Sequence, residues 1–215
     1  MKKKRLYIAL GLLASFVLWT IVIQRIDVQP IGPRGSTVGF AALNGFVHNL
    51  TGIHMTLYTI TDWLGLVPVA VGFGFAMLGL VQWFKRKSLL KVDASILILG
   101  GFYIVTMAAY LFFESYVVNY RPVLIEGYLE ASYPSSTTLL VLCVMPTAMM
   151  QLSDRIRQPI LRKCVSIAIT AFIAFMVIGR LVSGVHWLTD IIGGILLSAG
   201  LVMTYDFLIG GKNHG

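Results

Sequence analysis

Six long apolar runs alternate with short polar stretches along the chain, covering approximately residues 6–23, 64–84, 94–113, 136–152, 164–182 and 188–209. Each is about 17 to 22 residues long, and at 1.5 Å rise per residue a helix of that length crosses a hydrocarbon core of about 30 Å. The pattern predicts an all-α, polytopic membrane protein, with one six-helix transmembrane domain over residues 1–215. The first run follows Met1-Lys2-Lys3-Lys4-Arg5 and is too long for the apolar region of a secretory signal. Gln24-Arg25-Ile26-Asp27 after it has no small-x-small cleavage pattern, so it is read as an uncleaved first helix.

Between the first two runs lies a long mixed segment, residues 24–63. Pro30, Gly32, Pro33 and Gly35 open it as a turn-rich stretch. Phe40, Leu43, Phe46, Val47, Leu50 and Ile53 then recur at helical spacing, which predicts an amphipathic helix lying at the outer interface. Trp19, Trp63, Trp187, Tyr116, Tyr120 and Tyr133 fall near the same interface, as an aromatic belt would. Small residues four apart, Gly72 with Ala76 and Gly194 with Ser198, permit close helix packing.

Composition agrees with the hydropathy pattern. The 215 residues are 57% hydrophobic and 12% charged, about half the charge of an ordinary soluble domain, which excludes disorder, coiled coil and collagen. Cys143 and Cys164 both fall in apolar runs, so no disulfide framework is expected. The net charge of +8 follows membrane sidedness rather than a nucleic-acid surface. With the N-terminus inside, 13 of the 17 lysines and arginines are cytoplasmic: Lys2, Lys3, Lys4, Arg5, Lys85, Arg86, Lys87, Lys91, Arg155, Arg157, Arg162, Lys163 and Lys212. Arg25, Arg34, Arg121 and Arg180 remain outside. By the positive-inside rule both termini are cytoplasmic. The short N-terminus and lack of targeting signals suggest a bacterial plasma membrane.

Polar groups at the outer ends of the last four spans carry the candidate chemistry, because ionisable residues beside a membrane span are costly. They form three clusters: Asn119-Tyr120-Arg121-Pro122, Tyr133-Pro134-Ser135-Ser136-Thr137-Thr138, and Gly179 to Asp190. Arg121 and Arg180 offer planar donor forks suited to phosphate oxygens. Ser135, Ser136 and Thr137 open a helix whose free N–H groups favour an anion. His186 and Asp190, four apart, share a helix face, and a carboxylate on one ring nitrogen raises the basicity of the other. Together these groups describe a phosphoryl-transfer site.

In these residues the chain resembles the type 2 phosphatidic acid phosphatase (PAP2) superfamily, whose motifs have the form K-x6-R-P, P-S-G-H and S-R-x5-H-x3-D. Arg121-Pro122 matches the end of the first motif and Pro134-Ser135 the start of the second. Arg180, His186 and Asp190 match the third with both spacings kept. The resemblance implies a six-span membrane enzyme in which His186 attacks phosphorus and forms a phosphohistidine. It makes Asp190 the residue that orients His186, and Arg121, Arg180 and Ser135 the phosphate ligands. Glu114 stands where the first motif has lysine, and Ser136-Thr137 where the second has Gly-His. The second-motif histidine of the family protonates the leaving oxygen, and a threonine hydroxyl cannot do so at neutral pH. Glu126, Glu130, His48 and His54 are the alternatives for that role, and Glu114 and Arg121, two helical turns apart, are also a candidate ion pair. Asp206 and His214, near the cytoplasmic end, are assigned no role.

Two function classes follow. One is a phosphatase or pyrophosphatase, without metal or other cofactor, acting on a lipid phosphate: phosphatidic acid, phosphatidylglycerol phosphate or polyprenyl pyrophosphate. The diphosphate is favoured because its leaving phosphate departs without a proton. The other is a weakened or inactive relative that binds lipid phosphate headgroups or serves as a membrane partner. Membrane lipids are the expected surroundings, no nucleic acid is implied, and no protein partner is indicated.

Overall fold

The computed structural model describes residues 2–210, the side chain of Lys2 excepted; Lys212 and His214 lie outside the described residues. Among these the chain forms eight α-helices and no β-strand: α1 (Lys2–Ile23), α2 (Ala41–Thr51), α3 (Met55–Leu64), α4 (Leu66–Arg86), α5 (Ala94–Ser115), α6 (Ser136–Arg155), α7 (Pro159–Val182) and α8 (Leu188–Ile209). Six stretches are long and apolar enough to cross a membrane, and the chain is a multi-pass membrane protein. Leu188–Ile209 coincides with the last expected run, and the other expected runs lie inside observed helices except at residues 64–65, the α3–α4 junction.

The second span is the one that differs in kind. α3 leads into α4 through Gly65, whose backbone stays in the right-handed helical region, so the apolar stretch runs from Met55 to Arg86. Thr59, Thr61 and Asp62 interrupt the hydropathy of its first turns and disguise it as a loop. The expected helix near Phe40–Ile53 is α2. It buries Ala41 and Asn44 and exposes Leu43, Phe46 and Leu50, the polar-in arrangement of a helix whose outer face meets lipid.

α1 packs chiefly along α8, and α6 lies at the centre against α4, α5, α7 and α8. The main core gathers Phe16 and Ile23 of α1, Leu99 and Phe102 of α5, Leu139 of α6, and Leu197 and Tyr205 of α8. α6 and α8 approach closely at Gly194, where any Cβ would lie 3.1 Å from Thr138 Cγ2 and 3.4 Å from the Ser135 carbonyl oxygen. This is the close packing expected of the Gly194–Ser198 pair. At the other end of the bundle, Asp93 closes the α4–α5 connection by pairing with Arg86 at 2.8 Å and accepting from Gln82 Nε2 at 2.8 Å. Both cysteines are free.

Several aromatic residues expected in an interfacial belt are instead tied into the bundle. Trp19 Nε1 donates to the Thr189 carbonyl at 3.2 Å, Trp187 Nε1 to the Tyr120 carbonyl at 2.7 Å, and the Tyr133 hydroxyl meets Thr20 Oγ1 at 2.7 Å. Burying an indole or phenol with its polar atom satisfied stabilises more than leaving it at a surface. Trp63 and Tyr116 are exposed, as a belt requires.

Candidate active site

Two loops at one end of the bundle build the site. The first, between α5 and α6, folds back on itself: Arg121 N donates to the Glu130 carbonyl at 3.0 Å and Ser132 N to the Asn119 carbonyl at 2.9 Å. Glu126 and Gly127 turn it with positive φ values of 51° and 83°, the backbone that tight two-residue hairpin turns need. Arg121 and Ser132 thus lie on facing arms, and Glu126 is carried to the exposed tip.

The second loop joins α7 to α8. Gly184 has φ +70°, and a Cβ there would fall 2.0 Å from the Gly52 carbonyl oxygen. Glycine is therefore required both for the turn and for the approach of the segment leading into α3. His54 N bonds the Ser183 carbonyl at 3.0 Å across the same junction. Asp190, at the third position of α8, accepts from Trp187 N at 2.9 Å and so caps the helix start. Its other oxygen accepts from Asn119 Nδ2 at 3.0 Å. Asn44 reaches in from α2, with Nδ2 donating to Thr189 Oγ1 at 3.0 Å and Oδ1 accepting from Thr189 N at 3.2 Å.

His186 is held between these elements and is 3% exposed. Arg180 Nη2 lies 3.1 Å from its Nε2. A guanidinium can only donate, so Nε2 accepts and the proton resides on Nδ1. Nδ1–H points to the Ser132 carbonyl oxygen at 3.2 Å. The Asp190 carboxylate stands 3.8 Å from Nδ1, close enough to stabilise a positive ring but beyond hydrogen-bond distance. The tautomer is thus set by a backbone carbonyl, and Asp190 acts on the ring through its charge. Burial foremost, then Arg121 and Arg180, push the His186 pKa well below the ordinary histidine value, so the ring is neutral with its lone pair on Nε2.

Both arginines stack on Tyr58 of α3, their Cζ atoms 5.0 Å (Arg180) and 5.8 Å (Arg121) from the ring centroid. Arg180 is 1% exposed; its Nη1 is 3.5 Å from Thr61 Oγ1 and 3.6 Å from Asp62 Oδ1. Arg121 Nε is 3.0 Å from Glu130 Oε2, an ion pair in which the N–H is not aimed at the oxygen. Arg121 Nε and Nη1 and Arg180 Nε are buried without a hydrogen-bond partner. Buried donors without acceptors are costly, and the cost is removed by an anion of several oxygens.

The expected site residues divide accordingly. Arg121, Arg180, His186 and Asp190 form one electrostatic cluster. Ser135 is buried, its hydroxyl accepting from Thr138 Oγ1 at 3.0 Å and its N–H bonded to the Asp190 carbonyl at 3.1 Å, so it joins α6 to α8. Ser136 lines a narrow cavity with Glu114, Ser132 and Tyr133. Thr137 lies against Gly65 at the α3–α4 junction. Glu114 is exposed, within electrostatic range of both Arg121 and Glu130, and the ion pair of Arg121 is with Glu130. His48 packs against Trp187 with 5.5 Å between ring centroids, and His54 bonds the Thr51 carbonyl at 2.9 Å. Tyr58, Thr61, Asp62, Asn44 and Ser132 are not among the residues the sequence singles out. They come from helices that read as loop or interface, or act through a backbone atom, and only a helical period through residues 55–64 hints at the first three.

The fold is thus a transmembrane helical bundle that holds two buried arginines and a neutral histidine together at one end. Residues 67–207 match the PAP2 superfamily, and the chain belongs to it. Among solved structures it is similar to the crystal structure of the first transmembrane PAP2 type phosphatidylglycerolphosphate phosphatase from Bacillus subtilis. The match covers 96% of this chain and 97% of that one at 18% identity with a TM-score of 0.53, a likeness of fold. No curated protein matches the sequence significantly.

Proposed function

We propose that this chain is a membrane phosphatase or diphosphatase, one six-helix unit acting on a lipid-borne phosphate at the extracytoplasmic face. The observation that carries the reading is the meeting of the His186 Nε2 lone pair with Arg180 Nη2, beside a second buried guanidinium, Arg121, and the unpartnered nitrogens that both arginines retain. In this mechanism Nε2 attacks phosphorus, the P–O bond to the lipid breaks, and charge building on the equatorial oxygens is held by Arg121 and Arg180. Nδ1–H stays on the Ser132 carbonyl while Asp190 stabilises the positive ring. Ser135 serves by joining α6 to α8, and Ser136 and Thr137 contribute the polar start of α6. A groove of about 520 Å³ between α4, α5 and α6, lined by Gly72, Ala76, Tyr103, Met107 and Leu140, suits an acyl or prenyl chain. Membership of the superfamily and the fold shared with a membrane phosphatase support the phosphatase class.

The favoured substrate is a lipid diphosphate, since Thr137 supplies no proton to a departing alkoxide. Purified protein should release phosphate from a prenyl diphosphate faster than from phosphatidic acid, and His186→Ala should reduce both to background. Because protonation of His186 stops attack and its pKa is lowered, kcat/KM should hold as pH falls through about 6.5, the ordinary histidine value, and decline only below it. An acid limb at or above that value contradicts the environment assigned to His186. Vanadate binding without any phosphate release would instead support a relative that binds headgroups only, a reading favoured by the two carboxylates already set against the arginines.

The sidedness rests on the lysine and arginine distribution. In a Cys164→Ser background, Tyr128→Cys at the hairpin beside the site and Leu90→Cys at the opposite end, 72% and 92% exposed in the native chain, are suitable labels. A membrane-impermeant maleimide should label the first in intact cells and the second only after lysis. The reverse order would put the site in the cytoplasm.

A further inference from the structure

Beyond the nucleophile and the phosphate ligands, the mechanism needs a base for its second half, in which water must remove the phosphoryl group from His186. Attack in line with the P–N bond requires water on the face of phosphorus opposite Nε2, and the group that takes its proton must stand just beyond.

We infer that Asp62 of α3 is that proton acceptor; the inference rests on the phosphohistidine reading above. Arg180 is the ruler: its Nη2 touches His186 Nε2 at 3.1 Å, and its Nη1 lies 3.6 Å from Asp62 Oδ1. The planar guanidinium fixes its two terminal nitrogens, so Nε2 and Oδ1 stand no more than roughly 9 Å apart, within the reach of a phosphoryl group and one bridging water molecule. A phosphoryl group seated on the Nη1–Nη2 edge has the histidine at one end and the carboxylate at the other.

The other acids fit less well. Glu130 pairs with Nε of Arg121, which does not hydrogen-bond the histidine; Glu126 is at the exposed hairpin tip; and Asp190 is committed to Trp187 N and Asn119. The Asp62 side chain is 57% exposed, which gives water a path in and the proton a path out. Asp62 also lies before residues 67–207, the part of the chain that matches the superfamily.

The two steps then balance without a dedicated acid. In the first, Nε2 forms a bond to phosphorus and the lipid monophosphate leaves as a stable anion, taking no proton. In the second, water oxygen bonds to phosphorus, the P–Nε2 electron pair returns to the ring, and the water proton passes to Asp62 and on to solvent. The first step calls on no proton donor, and in the second the solvent-reaching Asp62 carboxylate relays the water proton outward. This matches a site that handles leaving groups able to depart unprotonated.

Rapid mixing of the full-length protein with 4-nitrophenyl phosphate tests this. Asp62→Asn should keep a burst of one nitrophenolate per His186 while steady-state turnover falls about 10²- to 10⁴-fold. Phosphohistidine should accumulate on acid-free quenching, and added formate should speed turnover in Asp62→Gly. A burst slowed as much as the steady state, or both rates unchanged, would mean that Asp62 only holds Arg180 and would overturn the assignment. A wild type without any His186-dependent release would overturn the phosphatase reading itself, a different result from either.

Discussion

Replacing Arg180 by alanine should lower phosphate release by about 10²- to 10⁴-fold and abolish the protection that vanadate gives against thermal unfolding. Arg180 is the side chain that meets both His186 Nε2 and the Asp62 carboxylate, at 3.1 Å and 3.6 Å. It is almost wholly buried, so its interaction with an anion is weakly screened; losing such a charge-assisted contact costs about 3 to 5 kcal/mol. The fold should survive the change, because the partner left behind, Asp62, reaches water. Arg180→Lys keeps the charge but not the fork and should recover only part of the activity. Vanadate at a hundred times its Kd contributes about 2.7 kcal/mol to the wild type, and this is the signal to follow. Equal protection of wild type and Arg180→Ala would remove Arg180 from the set of ligands.

The second large effect is structural. Gly184→Ala should destabilise the protein by about 3 kcal/mol or more. Its left-handed backbone costs an alanine about 1 to 2 kcal/mol. The rest comes from a Cβ placed 2.0 Å from the Gly52 carbonyl, which forces apart the α7–α8 turn and the start of α3. Gly127→Ala is the control, because Gly127 also has positive φ (+83°) but its Cβ meets nothing within 4 Å. Only the backbone cost should appear there. If the two variants unfold at the same temperature, the Gly184–Gly52 contact does not hold the site together. A loss of vanadate protection in Gly184→Ala at temperatures where the protein is still folded would show that the same contact aligns Tyr58 and Asp62 with His186.

The spans and one motif are legible in the sequence because both are local. Hydropathy over about 20 residues identifies a membrane helix whatever it packs against, and Arg180, His186 and Asp190 lie within three turns of chain. Tyr58 and Asp62 are separated from Arg180 by more than a hundred residues of sequence, and nothing near them announces a partner. Asp62 even obscures its own helix, by lowering the hydropathy of the stretch that carries it. Trp187, Trp19 and Tyr133 read as an interfacial belt because residue type and depth are visible in sequence while the carbonyl and hydroxyl partners are not. Ser132 acts on His186 through its backbone carbonyl, which every residue type possesses, so its identity carries no signal. The spacing of His186 and Asp190 predicts that the carboxylate orients the ring, and spacing alone cannot show that the carboxylate is occupied by the helix cap.

The pairing of the first helix with the last has a consequence for biogenesis. Of the helices described, α1 is made first, yet its principal partner, α8, is made last. Until then α1 must wait in lipid, which solvates its leucines and Phe16 as well as a protein neighbour does. Thr189 and Asp190, which α2 and the α5–α6 loop grip through Asn44 and Asn119, also arrive last. The two halves of the candidate site therefore meet only once α8 has been made, and a nascent chain cut at the end of α7 carries both arginines without the histidine.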